Sequence, residues 1–266
     1  MTKPRVLVFS GYGLNCEEET KFAFETTGAA ADIVHINDLI ENKQQIQKYQ
    51  ILAFPGGFAY GDDTGSGLAY ANRLRGHLWK ELETFAKQDH LIIGICNGFQ
   101  ILVNLGLLPA LDLQYGARQV GLLHNISARY IDRWVDVKAT NNSPWLTKNT
   151  QYTVPIAHGE GRLYASAKTL ALLKKKNCIA LKYTKGEICN YQNLPANPNG
   201  STEDIAGITD ESGRILGMMP HPERAMFFTQ LPQWPLLKEQ YKRQKKQLPT
   251  EGPGLQIFKN AVQYFK

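Results

Sequence analysis

A cysteine between two glycines, in Gly94-Ile95-Cys96-Asn97-Gly98-Phe99-Gln100, stands where an apolar run gives way to a helical pattern. A nucleophile on such a strand-to-helix turn is held in a strained backbone conformation, so its neighbours two positions away must be small. Glycine on both sides meets that demand, the logic of the G-x-S-x-G elbow with sulfur in place of oxygen. The chemistry would be attack on a carbonyl carbon through a covalent intermediate. An ordinary cysteine thiol, with a pKa of about 8.5, is only a few per cent thiolate at neutral pH, and a helix N-terminus or an adjacent imidazolium lowers that value. The same heptapeptide would also serve a small buried residue in a tight turn. Alone, it leaves both readings open.

A thiol nucleophile needs a base, and the base needs a group to fix its tautomer. Met219-Pro220-His221-Pro222-Glu223-Arg224 offers both on one loop, with prolines to stiffen it. By itself His-Pro-Glu also fits a surface turn; with the elbow it completes a Cys96, His221, Glu223 constellation. A third signal is Pro55-Gly56-Gly57-Phe58, continuing through Gly61, Gly65 and Gly67. Glycines after a strand let backbone N–H groups approach a phosphate or an oxyanion, and a plain flexible loop is the alternative. No lysine follows in the phosphate-loop spacing, and no G-x-G-x-x-G opens a βαβ unit elsewhere. There is no C-x-x-C pair and no H-E-x-x-H, so no metal site is expected. Cys16, with no histidine or acid in a matching pattern, reads as structural. Cys178 and Cys189 read as packing residues. His158, in His-Gly-Glu-Gly-Arg, reads equally as pocket geometry or as a satisfied structural histidine.

These residues need a scaffold, and the pattern supplies one. Short runs rich in Val, Ile and Leu alternate with amphipathic stretches, as in a parallel sheet covered by helices. Strands are predicted at residues 6–10, 33–36, 51–54 and 91–95. Helices are predicted at 16–27, 38–49, 68–87 (with room for a break) and 98–105, the last stopped by Gly106. The second half is more strand-like, at 130–137, 178–183, 205–209 and 214–219, which adds antiparallel strands to the parallel core. A surface excursion is expected at about residues 226–254, before a last helix at 255–265. The expected fold is α/β: one domain over residues 1–266, with a central mixed, mostly parallel sheet flanked by helices.

Apolar residues make up 43% of the chain and charged residues 20%, enough for a sizeable core and unlike a disordered chain. No window approaches the roughly 18 continuous apolar residues of a membrane helix. The opening stretch has too short an apolar run for a secretion signal and no small-residue cleavage site. Four cysteines in 266 residues do not make a disulfide scaffold, and free thiols fit a reducing cytoplasm. The net charge of +6 is mostly local: residues 238–246 hold five bases and one acid, so +4 sits there and +2 elsewhere. One basic run without a binding motif reads as a solvated helix face, not a nucleic-acid surface.

Residues 94–100 resemble the G-x-C-x-G-x-Q elbow of class I, triad-type glutamine amidotransferases, and His221-Pro222-Glu223 their downstream His-x-Glu. The resemblance narrows with Gly13-Leu14-Asn15-Cys16-Glu17, Gly57-Phe58-Ala59-Tyr60-Gly61-Asp62, Arg133-Trp134-Val135, Pro155-Ile156-Ala157-His158-Gly159-Glu160-Gly161-Arg162 and Met219 to Arg224. These ordered blocks are similar to the glutaminase subunits of phosphoribosylformylglycinamidine synthase. Tyr12-Gly13 departs from the family's usual Pro-Gly opening, and the segment near 226–254 is longer than typical. The resemblance implies a flavodoxin-like fold and hydrolysis of L-glutamine to glutamate and ammonia, handed to a synthetase subunit in purine biosynthesis, with room for a third small subunit. It implies Cys96 as nucleophile, His221 as acid and base, Glu223 as its support, Gly57 and Asn97 N–H groups at the oxyanion, and Gln100 holding the amino-acid end of substrate. It implies no cofactor on this chain; ATP and Mg would belong to the synthetase. The rival readings are a cysteine hydrolase of another substrate and a non-catalytic subunit on the same scaffold.

Overall fold

A computed structural model of the protein describes residues 3–266. The first half alternates strand and helix: β1 (Arg5–Ser10), α1 (Glu17–Thr26), β2 (Ala30–His35), α2 (Ile36–Glu41), β3 (Ile51–Phe54), α3 (Leu68–Lys87), β4 (Leu91–Ile95) and α4 (Asn97–Leu105). β3 and β4 are buried along their whole length, as strands covered on both faces must be. α3 turns Tyr70, Ala71, Leu74, Leu78, Leu82, Phe85 and Ala86 inward at three- and four-residue spacing. It is one continuous helix: Gly76, the obvious place for a break, has open space around it and interrupts nothing. The helix expected over 38–49 is instead two pieces. α2 stops at Asn42, whose φ of −129° and ψ of 71° are not helical, and a 3-10 helix follows over Lys43–Lys48.

The second half runs β5 (Gly121–His124), β6 (Ile131–Ala139), β7 (Gln151–His158), β8 (Glu160–Tyr164), α5 (Ala167–Lys175), β9 (Ile179–Thr184), α6 (Glu187–Gln192), β10 (Ile205–Thr209) and β11 (Ile215–Met218). α7 (Trp234–Arg243) and α8 (Leu255–Gln263) close the chain. α7 belongs to the excursion and buries no residue, whereas α8 turns Leu255, Ile257, Phe258, Ala261 and Val262 into the core. Phe258 meets Phe24 of α1 edge to face. Sequence reading did not find β5, β7, β8, α5 or α6. β7 carries Pro155 in its middle, which argues against a strand. It is tolerated because β7 is the edge of the sheet, with β6 as its one strand partner.

Nine strands form one sheet in the order β2-β1-β3-β4-β11-β10-β9-β6-β7, and β5 pairs with β8 in a separate ribbon. The first five of that order are mutually parallel. The remaining pairings are antiparallel. This is the mixed α/β sheet expected, and its order positions the chemistry. β1, β3, β4 and β11 are parallel neighbours, so the loops that leave their carboxyl ends share one rim of the sheet. Those loops are residues 11–16, 55–58, the Cys96 turn and the His221 turn. The carboxyl rim of an open parallel sheet is where such folds build their sites.

Candidate active site

Cys96 is the one residue between β4 and α4, with φ of 50° and ψ of −106°, a conformation costly for any residue with a Cβ. Its own N–H donates to the Met218 carbonyl at 2.8 Å, tying the turn to β11. The flanking glycines are required by contact. A Cβ on Gly98 would stand 1.9 Å from the Phe54 carbonyl oxygen, and one on Gly94 would stand 2.7 Å from the carbonyl oxygen of Gly98. The sulfur lies at the N-terminus of α4, 3.7 Å from the Ala157 carbonyl.

His221 follows β11 and is held by its N–H donating to the Pro155 carbonyl at 2.8 Å. Its Nδ1 stands 2.6 Å from Glu223 Oε1, with both side chains buried. A carboxylate can only accept, so Nδ1 carries the hydrogen and Nε2 is the nitrogen left for a proton transfer. Nε2 is buried without a partner. Burial opposes the charged ring, yet the Glu223 carboxylate and the Cys96 sulfur outweigh it and hold the His221 pKa well above its ordinary value. Cys96 and His221 face one cavity of about 160 Å³, whose mouth carries Phe58, Tyr130 and Arg224. The Phe58 and Tyr130 rings are 6.1 Å apart and both are exposed.

The glycine loop lies across this cavity. Gly57 has φ of 152°, and a Cβ there would meet the Gly13 carbonyl oxygen at 2.4 Å. Only glycine lets residues 11–16 pack so close to residues 55–58. Gly57 N–H and Asn97 N–H are claimed by no other group among the described residues, as an oxyanion site requires. The Asn97 side chain has a task that sequence reading missed. Its Oδ1 accepts the Ala59 N–H at 3.0 Å, and its Nδ2 donates to Gln100 Oε1 at 2.7 Å. It thus pins the glycine loop to the elbow helix.

Gln100, expected to hold the amino-acid end of substrate, is engaged by its neighbours. Its carboxamide is engaged by Asn97 and donates to the Glu160 carbonyl. It lines a second, smaller cavity of about 50 Å³ with Ser66, Asn104 and Glu160, not the cavity that holds the Cys96 sulfur. His158 is buried, and its Nδ1 bonds Asn125 Oδ1 at 3.0 Å. Burial, reinforced by the nearby charge of His221, lowers its pKa to about 3, so the ring is neutral.

Cys16, read from the sequence as structural, joins the site. Its sulfur lines the same cavity as Cys96. It forms, with His221 and Glu223, the only group of three candidate metal donors among the described residues, the three atoms lying within 4.8 Å of one another. Arg224 Nη2 stands 3.1 Å from that sulfur, so a dication there would meet a fixed positive charge.

The profile of the CobB/CobQ-like glutamine amidotransferase domain matches residues 3–265. The chain belongs to that family. It is 50% identical over 266 residues to the phosphoribosylformylglycinamidine synthase subunit PurQ of Methanococcus maripaludis strain C5, covering 98% of each chain. The subunit of the same name from Dehalococcoides mccartyi is 40% identical, with 99% of this chain and 98% of that one covered. A chain in the solved structure of PurLQS from Thermotoga maritima superposes with a TM-score of 0.72 at 30% identity, covering 100% of both. The amidotransferase fold is therefore shared with that chain.

Proposed function

We propose that this chain is the glutaminase component of phosphoribosylformylglycinamidine synthase. It hydrolyses L-glutamine to glutamate and ammonia and passes the ammonia to a synthetase subunit, in company with a third small subunit. The observation that carries this reading is the elbow thiol of Cys96 facing one cavity with the buried His221–Glu223 pair. Relatives that align over the full length and bear the synthase subunit's name support the substrate and the partner. Four buried, unpaired cysteines suit the reducing cytoplasm. No helix among the described residues is long and apolar enough to cross a membrane.

The reaction runs as acyl transfer. The Cys96 thiolate attacks the side-chain carboxamide carbon, and Gly57 and Asn97 N–H groups receive the developing oxyanion. The tetrahedral species collapses as His221 Nε2–H gives its proton to the departing nitrogen, releasing ammonia and leaving a glutamyl thioester. Water then attacks the thioester, His221 takes its proton, and collapse expels the Cys96 sulfur and frees glutamate. Glu223 supports the imidazolium at each turn. This chemistry needs no cofactor on the chain; ATP and Mg act at the synthetase.

The test is Cys96→Ala in the assembled synthase. Glutamine hydrolysis and labelling by a glutamine-mimicking electrophile should vanish, while synthesis from added ammonia continues. Glutamine turnover within tenfold of wild type would sink the assignment.

A further inference from the structure

His221 is flanked by two thiols, and the reaction above uses one. Cys16 sits at the start of α1, delivered by β1, and is buried with its sulfur within 4.8 Å of an imidazole nitrogen of His221. A Cβ at Gly56 would lie 2.7 Å from His221 Cε1 and 3.1 Å from Cys16 Sγ. The missing side chain of Gly56 is therefore what lets ring and sulfur share the space. On its other side the sulfur accepts Arg224 Nη2 at 3.1 Å. The same guanidinium bonds Glu19 Oε1 from Nε at 3.2 Å and from Nη2 at 3.0 Å. Arg224 follows Glu223 directly, and Glu223 Oε2 is buried with no partner. The Glu223 charge acts on the Arg224 guanidinium, and an ion pair to the free Oε2 would satisfy both groups. That pair does not form, because α1 offers the guanidinium Cys16 and Glu19 instead.

We infer that Cys16 is a positioning residue of the triad: together with Glu19, its sulfur holds the Arg224 guanidinium off Glu223, so that Glu223 serves His221 alone. The inference rests on the glutaminase reading for its kinetic consequence but not for its structural one. The groups that face His221 are Glu223 and Arg224 on its own turn, Cys96 on the elbow, Cys16 on the α1 loop, His158 on β7 and Tyr130 at the cavity mouth. Of these, Cys16 is the one that both touches the imidazole and restrains a cation. Burial raises the Cys16 thiol above its ordinary pKa, so the sulfur faces the ring as a neutral, polarisable group. Were Arg224 released onto Glu223, the carboxylate would be shared between guanidinium and imidazolium. The imidazolium would lose support and shed its proton at lower pH.

The experiment compares Cys16→Ala and Cys16→Ser with wild type by two readouts. The first is the ¹³Cε1 resonance of His221 followed against pH, which needs no turnover. Cys16→Ala should move its midpoint down by one pH unit or more, and Cys16→Ser, whose oxygen accepts from Arg224, should restore at least half of the shift. The second is glutamine hydrolysis. Cys16→Ala should lower kcat tenfold or more with KM within threefold, and pull the alkaline limb of the kcat profile to lower pH. An unmoved His221 midpoint in Cys16→Ala overturns the inference, as does equal loss of kcat in both variants with no pH displacement. If Cys16→Ala does not fold, Cys16→Ser with the His221 midpoint of wild type upholds the inference, and a midpoint displaced as far as one unit overturns it. An assembled wild-type synthase that uses added ammonia but hydrolyses no glutamine, with the His221 midpoint still displaced in Cys16→Ala, would defeat the glutaminase reading and leave this one standing.

Discussion

His221 has one nitrogen committed and one free, and that asymmetry sets what each triad substitution should do. Nδ1 is bound to Glu223 at 2.6 Å, and only Nε2 is open to the reacting atoms. His221→Ala removes the acid and base outright, so thioester formation should stop. Glu223→Ala leaves the base but frees its tautomer and strips the counter-charge from the imidazolium. Residual glutamine hydrolysis should therefore survive in Glu223→Ala, with His221→Ala worse by roughly 100-fold, the ratio typical when a base rather than its orienting acid is lost. The measurement is kcat for glutamine with ammonia-dependent synthesis as the control. A Glu223→Ala enzyme as active as wild type would remove that residue from the triad. The backbone donors behave differently: no side-chain scan reports on Gly57 N–H or Asn97 N–H directly. Asn97→Ala would act through the lost brace on Ala59 rather than through a lost donor.

Elements differ in how plainly the chain announces them, and the reasons are physical. The elbow was legible because β4 is a continuous apolar run, Gly94 and Gly98 mark the steric demand, and Gly106 at φ of 74° ends α4. Cys96, His221, Glu223 and the glycine loop could be read because each sits at a strand end with a local signature. Cys16 could not, since the arginine that binds its sulfur lies 208 positions away. The bonds of the Gln100 carboxamide to Asn97 and the Glu160 carbonyl were not legible, because the motif fixes the helix turn but not the direction of the side chain. β7 was hidden by Pro155, yet it supplies Ala157 to the cavity and His158 behind it. His158 gives β7 a test of its own. Its folded-state pKa of about 3 lies below the roughly 6.5 of an unfolded histidine. Between those values the unfolded chain binds a proton that the folded chain does not, so stability must fall as pH drops through that window. The slope from one such group is about 1.4 kcal/mol per pH unit. Denaturant unfolding of wild type and His158→Gln from pH 7 to pH 4 should show the wild type losing stability more steeply by about that slope. Parallel curves would mean that His158 takes up its proton in the folded state at ordinary pH.

At the scale of the whole molecule, the densest run of positive charge lies on the excursion, whose helix α7 buries no residue. From sequence, Lys238, Lys242 and Lys245 or Lys246 could share one helical face and present a docking strip. The structure breaks that strip. α7 ends at Arg243, and Lys245, with φ of 53°, turns the chain back. The Lys245 N–H bonds the Lys242 carbonyl at 3.0 Å and the Lys246 N–H bonds the Tyr241 carbonyl at 2.9 Å, a closed helix end with lysine where glycine is usual. Only Lys238 and Lys242 remain one turn apart on the helix. Lys238 lies over the Trp234 ring at 5.4 Å, and Arg243 is paired with Glu239 at 3.0 Å. Two of the five bases are thus satisfied within α7, and Lys245 and Lys246 lie past its end. Phe228 and Tyr241, with rings 6.0 Å apart, hold the helix to its own excursion. A partner steered by these charges would bind with a steep salt dependence, because exposed charges are screened over about 8 Å at physiological ionic strength. The arrangement argues for a solvated strip. Replacing Lys238, Lys242, Arg243, Lys245 and Lys246 with glutamine should leave the affinity for the synthetase subunit within twofold of wild type at both low and high salt. A loss of tenfold or more at low salt that fades at high salt would make the excursion an electrostatic docking surface after all.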